Sequence, residues 1–327
     1  MFTAGQIRKP RIVIVSPALA SANNGNWQTA KRYASMLAET CAVRIIKEWD
    51  GDTRDEVLIA LHARRSYSSI AAWHAQRGAQ GLCVVLTGTD LYRDIRNDNQ
   101  AQESLELANT LIVLQPTGLA ELPVRLRNKA QVLFQSTTTR RTLPKTTRHL
   151  RAVMVGHLRP EKSPQTFFEV AALLSERHDI ELRHIGGEQD QALAQQAHQT
   201  QARYSNYQFL GARSHEQTRR YIQRSHVLVH ASVMEGGAHV VMEAICSGVP
   251  VLASRVAGNI GMLGDNYDGF FKVGDAHELA KLLIRLREDH LFSTQLAMQC
   301  AERAYLFEPA RERSGLITIV QNLTLKE

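Results

Sequence analysis

Two successive runs of short apolar segments alternating with amphipathic helical patterns constrain the fold of this chain more than any other feature. In the first run, apolar segments such as Arg11–Val15, Val57–Leu61 and 83–86 are separated by helical patterns. The alternation restarts at 152–155 and continues to a helix predicted over 277–286. Strands separated by helices pair in parallel, so each run predicts a doubly wound α/β domain.

The stretch 136–147 separates the two runs. It is rich in Ser and Thr, is interrupted by arginines and a proline, and carries no periodic apolar pattern. Such a composition is typical of a connection between domains. The sequence therefore predicts an N-terminal domain over 1–148, a second domain over 149–305, and a helical segment, 306–327, that packs back against the first domain. Two such domains would face a central cleft at the carboxyl ends of their sheets, where ligands of open α/β sheets bind.

Composition narrows the classes of protein and ligand. The 327 residues are 44% hydrophobic and 22% charged, as in soluble globular proteins. No apolar run approaches the roughly 20 residues that cross a bilayer, and no signal-peptide core is present, so we expect a cytoplasmic protein without stable membrane association. Four cysteines without paired spacing argue against a zinc site or disulfides. The net charge of +7 is dispersed, which favours small anionic substrates over nucleic acid.

Two glutamates bracket the start of a predicted helix in the second domain. Glu235 precedes the helix, which is predicted over 238–247, and Glu243 lies inside it. The glycine pair at 236 and 237 leaves the first-turn N–H groups open to an anion such as a phosphate. The arrangement predicts a nucleotide-sugar site, with the carboxylates accepting hydrogen bonds from sugar hydroxyls. The alternative is an ordinary capped helix in which Glu243 is solvated.

A cationic segment follows the first strand of the second domain. His157, Arg159 and Lys162 lie between that strand and the next helix. Each charge-assisted hydrogen bond to a phosphate oxygen contributes about 1.5 to 3 kcal/mol, so two or three could stabilise a departing diphosphate without a metal. The alternative is a helix N-terminus at which Glu161 offsets the cations. We expect neither a bound metal nor a cofactor.

Three strand ends of the first domain carry groups that suit a second, anionic substrate. They could offer it backbone N–H groups, cations and hydroxyls. The alternatives are a purely structural loop, solvated arginines, and an aspartate that only caps the following turn. The predicted acceptor-binding residues are Gly25, Asn26, Arg64, Arg65, Thr87, Gly88, Thr89 and Asp90.

The second domain resembles the GT-B glycosyltransferases of family 4. Glu235 and Glu243 match their Glu-x7-Glu signature, and Gly156, Leu158 and Lys162 match their Gly-x-Leu-x-x-x-Lys segment. This resemblance covers the whole second domain. It implies two Rossmann-like domains and a UDP-sugar donor.

The first domain resembles a narrower group, the selenosugar synthases of selenoneine biosynthesis. The segments that carry this resemblance are Leu-His-Ala-Arg-Arg-Ser (61–66), Leu-Thr-Gly-Thr-Asp-Leu-Tyr-Arg-Asp (86–94) and Val-Leu-Gln-Pro (113–116), together with Gly-His-Leu-Arg-Pro-Glu-Lys (156–162). The similarity runs almost end to end. Those enzymes join the selenium of selenophosphate to the anomeric carbon of a UDP-sugar, typically UDP-N-acetylglucosamine. Two positions depart from the wider family: His157 replaces a common arginine, and Thr87 replaces a histidine that contacts the donor sugar.

The resemblance implies roles for individual residues. Lys162 and Arg159 would bind the diphosphate, Glu235 the hexose hydroxyls and Glu243 the ribose hydroxyls, so that Glu235, Lys162 and Arg159 form the catalytic set. Gly211 to Arg213 would flank the uracil. The remaining donor-binding residues would be Gly156, His157, Gly236, Gly237, Ala238 and His239. The alternatives are a family 4 hexosyltransferase with a sugar, lipid or small alcohol acceptor, a nucleotide-sugar epimerase, and a non-catalytic binding protein.

Overall fold

The computed structural model describes residues 8–19 and 25–324. The chain divides into two compact units, named here unit 1 (Met1–Gln135 with Pro309–Glu327) and unit 2 (Ser136–Glu308). Each unit contains one six-stranded sheet in which every pairing is parallel. The predicted α/β class is confirmed.

The regular elements alternate along the chain. The strands are β1 (Arg11–Val15), β2 (Ala42–Ile46), β3 (Val57–Leu61), β4 (Leu82–Leu86), β5 (Thr110–Val113), β6 (Ala130–Val132), β7 (Leu150–Val155), β8 (Ile180–Ile185), β9 (Tyr207–Phe209), β10 (Val227–His230), β11 (Val251–Ser254) and β12 (Phe270–Phe271). The helices are α1 (Gly25–Leu37), α2 (Tyr67–Arg77), α3 (Ile95–Asn97), α4 (Asn99–Leu107), α5 (Gly118–Glu121), α6 (Pro164–Leu173), α7 (Gln191–Arg203), α8 (His215–Arg224), α9 (His239–Ile245), α10 (Ala257–Leu263), α11 (Ala276–Glu288), α12 (His290–Arg303) and α13 (Pro309–Thr324). A π-helical turn (Asp90–Asp94) and 3₁₀ turns (Val124–Lys129, Pro160–Lys162 and Ala304–Phe307) complete the set. Within residues 8–19 and 25–324, none of the helices has both the length and the apolar character that crossing a bilayer requires.

The sheet of unit 1 has the order β2-β1-β3-β4-β5-β6. The chain leaves β1 toward β2 and then crosses to β3 on the other side, so the winding direction changes between β1 and β3. Strands β3 and β4 are buried along their whole length, because helices cover both faces of the sheet. The segments that follow β1 and β3 therefore flank the switch point, beyond which ligands of such sheets bind.

The last helix, α13, belongs to unit 1. Its apolar side chains enter the core cluster that α1 and the central strands also build. Glu312 of α13 is buried, and the Arg32 Nε of α1 donates to its Oε2 at 2.7 Å. The buried side chains that α13 contributes to this cluster are Leu316, Ile319, Val320 and Leu323.

The sheet of unit 2 has the order β12-β11-β10-β7-β8-β9. From β7 the chain first winds outward through β8 and β9, and then returns to the other side for β10, β11 and β12. The switch point therefore lies between β7 and β10, which pair in parallel from Val227 opposite Ala152. Parallel pairing brings the loops 156–163 and 231–238 together at the carboxyl edge of this sheet.

The stretch 136–147, predicted as the connection between domains, is bonded into unit 2. Arg140 N donates to Cys246 O at 2.8 Å, and Arg219 Nη1 donates to Thr138 Oγ1 at 2.8 Å. These bonds explain why the compact units divide after residue 135, whereas the sequence places the boundary after residue 148.

Candidate functional site

The loop that leaves β7 is held by the neighbouring strand end. The carbonyl oxygen of Gly156 lies 3.3 Å from Nε2 of the buried His184. A Cβ atom on Gly186 would lie 1.9 Å from that same oxygen, so only glycine allows the ends of β7 and β8 to approach this closely. Gly187 N donates to His157 Nδ1 at 2.9 Å. The segment that carries the predicted cations therefore starts from a fixed position.

Lys162 and Glu235 form an ion pair at the switch point of unit 2. Lys162 Nζ lies 2.5 Å from Glu235 Oε2, and the two side chains are only 16% and 14% exposed. The two loops are also joined through the backbone, because Val233 N donates to Glu161 O at 3.0 Å. A Cβ on Gly258, in the first turn of α10, would lie 1.8 Å from Glu235 O. The structure thus brings together two of the three residues assigned to the catalytic set.

The surroundings of Glu235 keep its carboxyl group ionised. Burial alone would raise the pKa of Glu235, but the Lys162 ammonium and a hydrogen bond from His230 outweigh burial and hold that pKa well below its usual range. His230 is the last residue of β10, and its Nε2 lies 3.5 Å from Glu235 Oε2. No sequence motif identifies His230 as a functional residue. The feature of the sequence that could have drawn attention to it is that a polar residue ends the otherwise apolar segment Val-Leu-Val-His.

Glu243 lies on α9 and is buried. The residue is 4% exposed, and His215 Nε2–H donates to Glu243 Oε1 at 2.5 Å. The alternative of a solvated Glu243 is therefore excluded. The helix is shorter than the predicted 238–247: it runs from His239 to Ile245, and Gly248 adopts a positive φ of 65° in the turn that follows.

The other predicted donor residues lie at the same edge of the sheet but differ in what they offer. Arg159 Nε is buried and has no hydrogen-bond partner among the described residues. Gly211 accepts from Gly186 N at 3.1 Å, and the Arg213 side chain is exposed after β9. The N–H of Ala238, which was expected to face the ligand, instead donates to Met262 Sδ at 3.1 Å.

In unit 1, Asp90 bonds to two of the predicted acceptor segments, the one after β3 and the one after β4. It is fully buried, and its carboxylate accepts hydrogen bonds from the N–H groups of Ala63 (3.0 Å), Thr87 (3.0 Å) and Gly88 (2.8 Å). Its oxygens are thus committed to the backbone. Asp90 holds the loops after β3 and β4 in register. The three N–H groups that it accepts from precede it in the chain, so these bonds are not the cap of the following turn that the alternative interpretation describes.

His62, directly after β3, adopts a conformation that is uncommon for a non-glycine residue. Its φ is 75° and its side chain is buried. The Nε2 atom lies 3.1 Å from Thr89 Oγ1 and 3.8 Å from Asp94 Oδ2, while Nδ1 accepts from Arg65 N at 3.3 Å. Burial lowers the pKa of His62, and Asp90 opposes that shift. Such backbone conformations concentrate at functional sites.

The remaining acceptor residues are more open to solvent. Arg64 is half exposed, and its Nε lies 3.0 Å from Asp98 Oδ2. The side chain of Arg65 is exposed. Gly25 and Asn26 form the start of α1, whereas residues 20–24 of the loop before them lie outside the described residues. Within the described part of the chain, no three His, Cys, Asp or Glu side chains are grouped as metal ligands would be.

Comparison with protein-family models places the site in context. The model described as "Glycosyl transferases group 1" matches residues 135–307, which is more than half of the 327 residues and includes both loops of the Lys162–Glu235 pair. The chain belongs to this family. Members of this family are glycosyltransferases, so this chain is a glycosyltransferase. The Lys162–Glu235 ion pair lies within the residues that match the family model.

Several solved structures share the fold of this chain. Sucrose-phosphate synthase from Thermosynechococcus elongatus aligns with a TM-score of 0.77 and 17% identity, covering 97% of this chain and 99% of that one. Anabaena Alr3699/HepE, solved in complex with UDP, aligns with a TM-score of 0.75 and 13% identity over 96% and 100% of the two chains. A mutant of S. aureus TarM, solved with Fondaparinux, α-GlcNAc-glycerol and UDP, aligns with a TM-score of 0.65 and 14% identity over 82% of this chain. This chain spans only 55% of the TarM chain. These similarities establish the GT-B fold of this group 1 glycosyltransferase.

Proposed function

We propose that the protein is a selenosugar synthase of glycosyltransferase family 4, which transfers a hexosyl group from a UDP-sugar to selenophosphate and releases UDP and phosphate. The observation that carries the donor half of this proposal is the Lys162–Glu235 ion pair at the switch point of unit 2. A largely buried ammonium beside an ionised carboxylate offers one group for a diphosphate and one for sugar hydroxyls. Relatives in fold that were solved with UDP support a uridine nucleotide donor.

The donor would lie across the two loops. Lys162 and Arg159 would bind the diphosphate, and the unpartnered Nε of Arg159 is a hydrogen-bond donor ready for that contact. Glu235 would accept from the hexose, for which N-acetylglucosamine is the expected sugar. Glu243, whose Oε1 is taken by His215, would retain lone pairs for the ribose hydroxyls. Cations rather than a metal ion would stabilise the departing diphosphate.

The acceptor half of the proposal depends on the resemblance of unit 1 to selenosugar synthases. Exposed Arg65 and the Thr89 hydroxyl would bind the phosphoryl group, and both are tied to His62. The selenium of selenophosphate is already an anionic nucleophile, so this reaction needs no strong general base, and positioning supplies most of the barrier lowering. Selenium would attack the anomeric carbon as the C–O bond to UDP breaks, and loss of the phosphoryl group to water would then leave the selenosugar.

The experiment combines the protein with UDP-N-acetylglucosamine and selenophosphate and follows two readouts: released UDP, and a product with the isotope pattern of selenium in the mass spectrum. We expect both readouts, and we expect Lys162→Ala and Glu235→Ala to abolish them. Lys272→Ala, which changes an exposed lysine of the same unit, is the matched control and should retain the wild-type rate. Near-normal turnover in both site variants would remove the donor-site assignment.

Parallel reactions separate the alternatives. Turnover that appears only when a sugar, lipid or glycerol-type alcohol replaces selenophosphate would identify a hexosyltransferase with an alcohol acceptor, and the α-GlcNAc-glycerol in the TarM complex is the reason to include glycerol. Interconversion of UDP-sugars without any acceptor would identify an epimerase. Thiophosphate in place of selenophosphate measures how strictly the acceptor is selected.

A further inference from the structure

A buried imidazole contacts the carboxylate of the Lys162–Glu235 pair. His230 is 2% exposed, and its Nε2 lies 3.5 Å from Glu235 Oε2 and 3.2 Å from Ser232 Oγ. Glu235 therefore has two basic neighbours, the Lys162 ammonium at 2.5 Å and this imidazole. The proposed function gives Lys162 a role at the diphosphate but gives His230 none.

The other nitrogen of the ring lacks a partner, and so does one atom of a neighbouring amide. His230 Nδ1 is buried without a hydrogen bond, and so is Oδ1 of Asn259, a fully buried residue of α10. Asn259 Nδ2 donates to Ser254 O at 2.8 Å and to Ser254 Oγ at 3.2 Å. These two bonds fix the orientation of the amide, so Oδ1 remains an acceptor without a donor. A buried acceptor of this kind is satisfied if a proton arrives on an adjacent nitrogen.

Burial and the charge of Lys162 both disfavour a positive charge on the ring. Burial lowers the pKa of His230 and the charge of Lys162 lowers it further, whereas Glu235 and Asn259 raise it. The charged groups that act on the ring are thus Glu235 and Lys162, from the loops after β10 and β7. The packed elements β11 and α10 contribute the uncharged Ser254 and Asn259.

We propose that His230 takes up a proton from solvent when a diphosphate ligand draws Lys162 away from Glu235, so that the imidazolium replaces the ammonium as the counter-charge of Glu235. The inference rests on the proposed function, because it requires the diphosphate to bind Lys162. The two ring protons would then face Glu235 Oε2 and Asn259 Oδ1. Without such a replacement, Glu235 would be left as a largely buried, uncompensated charge.

Isothermal titration with UDP tests the inference directly. Titrations at about pH 7.5 in buffers that differ in ionisation enthalpy give the number of protons taken up per bound UDP, since the buffer supplies them. Wild-type protein should take up close to one proton per UDP. His230→Gln can still donate an N–H to Glu235 but cannot carry a proton, so its uptake should fall to near zero while UDP still binds. His226→Gln, directly before the start of the same strand, is the matched control and should keep the wild-type uptake.

The affinity for UDP provides a second readout. Because the bound state holds the extra proton, wild-type affinity should fall by up to about tenfold per pH unit above neutrality, and the affinity of His230→Gln should not. If that variant does not fold, ¹⁵N NMR of histidine-labelled wild-type protein should show the His230 ring changing from neutral to doubly protonated on saturation with UDP.

Each failure has a distinct meaning. No UDP binding by the wild-type protein would overturn the proposed donor site and this inference together. UDP binding without proton uptake, or with uptake that survives in His230→Gln, would overturn the inference alone and leave the proposed function standing.

Discussion

Replacing Asp90 should destabilise unit 1 in proportion to the number of backbone N–H groups left without an acceptor. In Asp90→Ala, the N–H groups of Ala63, Thr87 and Gly88 all lose their partner. Each unsatisfied buried donor costs about 1–3 kcal/mol, so the total loss should be at least about 3 kcal/mol. Asp90→Asn keeps one carbonyl oxygen for Thr87 and Gly88 but turns its amide NH₂ toward Ala63. Its expected cost is that of one donor, about 1–3 kcal/mol.

Urea unfolding followed by tryptophan fluorescence measures these losses. All three tryptophans of the chain, at positions 27, 49 and 73, lie in unit 1, so their signal reports the unit that carries Asp90. The control is Asp98→Ala in the same unit, because Asp98 accepts one backbone N–H, from Ala101 at the start of α4, and otherwise pairs with the half-exposed Arg64. The loss of such a cap costs about 1 kcal/mol. If Asp90→Ala is no more destabilising than Asp98→Ala, then Asp90 does not hold the two loops together.

Three further predictions concern other buried contacts. Gly186→Ala forces a methyl group against the backbone of the loop after β7, so it should lower the free energy of unfolding in urea by about 1–3 kcal/mol and weaken UDP binding, as measured by isothermal titration. An unchanged affinity for UDP would show that this loop does not contribute to the site. Arg32→Met removes the cation beside buried Glu312 and should lower the free energy of unfolding by about 3 kcal/mol, measured by the tryptophan fluorescence of urea unfolding. A decrease of less than about 0.5 kcal/mol would contradict a role for this ion pair in holding α13 against unit 1. Burial lowers the pKa of His184 from 6.5 to about 4, so as the pH falls the unfolded state binds a proton at this residue before the folded state does, and the free energy of unfolding should drop by about 3 kcal/mol between about pH 6.5 and 4. Unfolding followed by circular dichroism measures this drop, and an equal drop in His184→Gln would assign the pH dependence to other groups.

The sheets could be predicted because their central strands are buried on both faces. Strands such as β3 and β4 are continuous apolar runs bounded by polar segments, which is the pattern of a parallel sheet between two helical layers. The edge strands β6 and β12 have three and two residues, and too few positions for any periodicity. The extension of unit 2 back to residue 136 depends on bonds from α8 to an irregular segment, and the composition of that segment does not encode them.

The candidate site could be predicted residue by residue but not as an arrangement. Lys162 and Glu235 were each recognisable from their surroundings in the sequence, yet they are 73 positions apart. Their contact follows from the pairing of β7 with β10, which local patterns do not specify. His230 and His215 were missed for the same reason: each becomes informative only through the carboxylate it touches. The π-helical turn at Asp90–Asp94 also has no simple sequence signature.

The membership of α13 in unit 1 has a consequence for synthesis of the chain. Unit 2 is in effect inserted between Gln135 and Pro309, so a ribosome completes all of unit 2 before it makes the helix that finishes unit 1. Until then, the part of the unit 1 core that receives Leu316 and Ile319 is uncovered, and exposed apolar surface of this kind promotes aggregation of nascent chains. The unit that is begun first is therefore finished last.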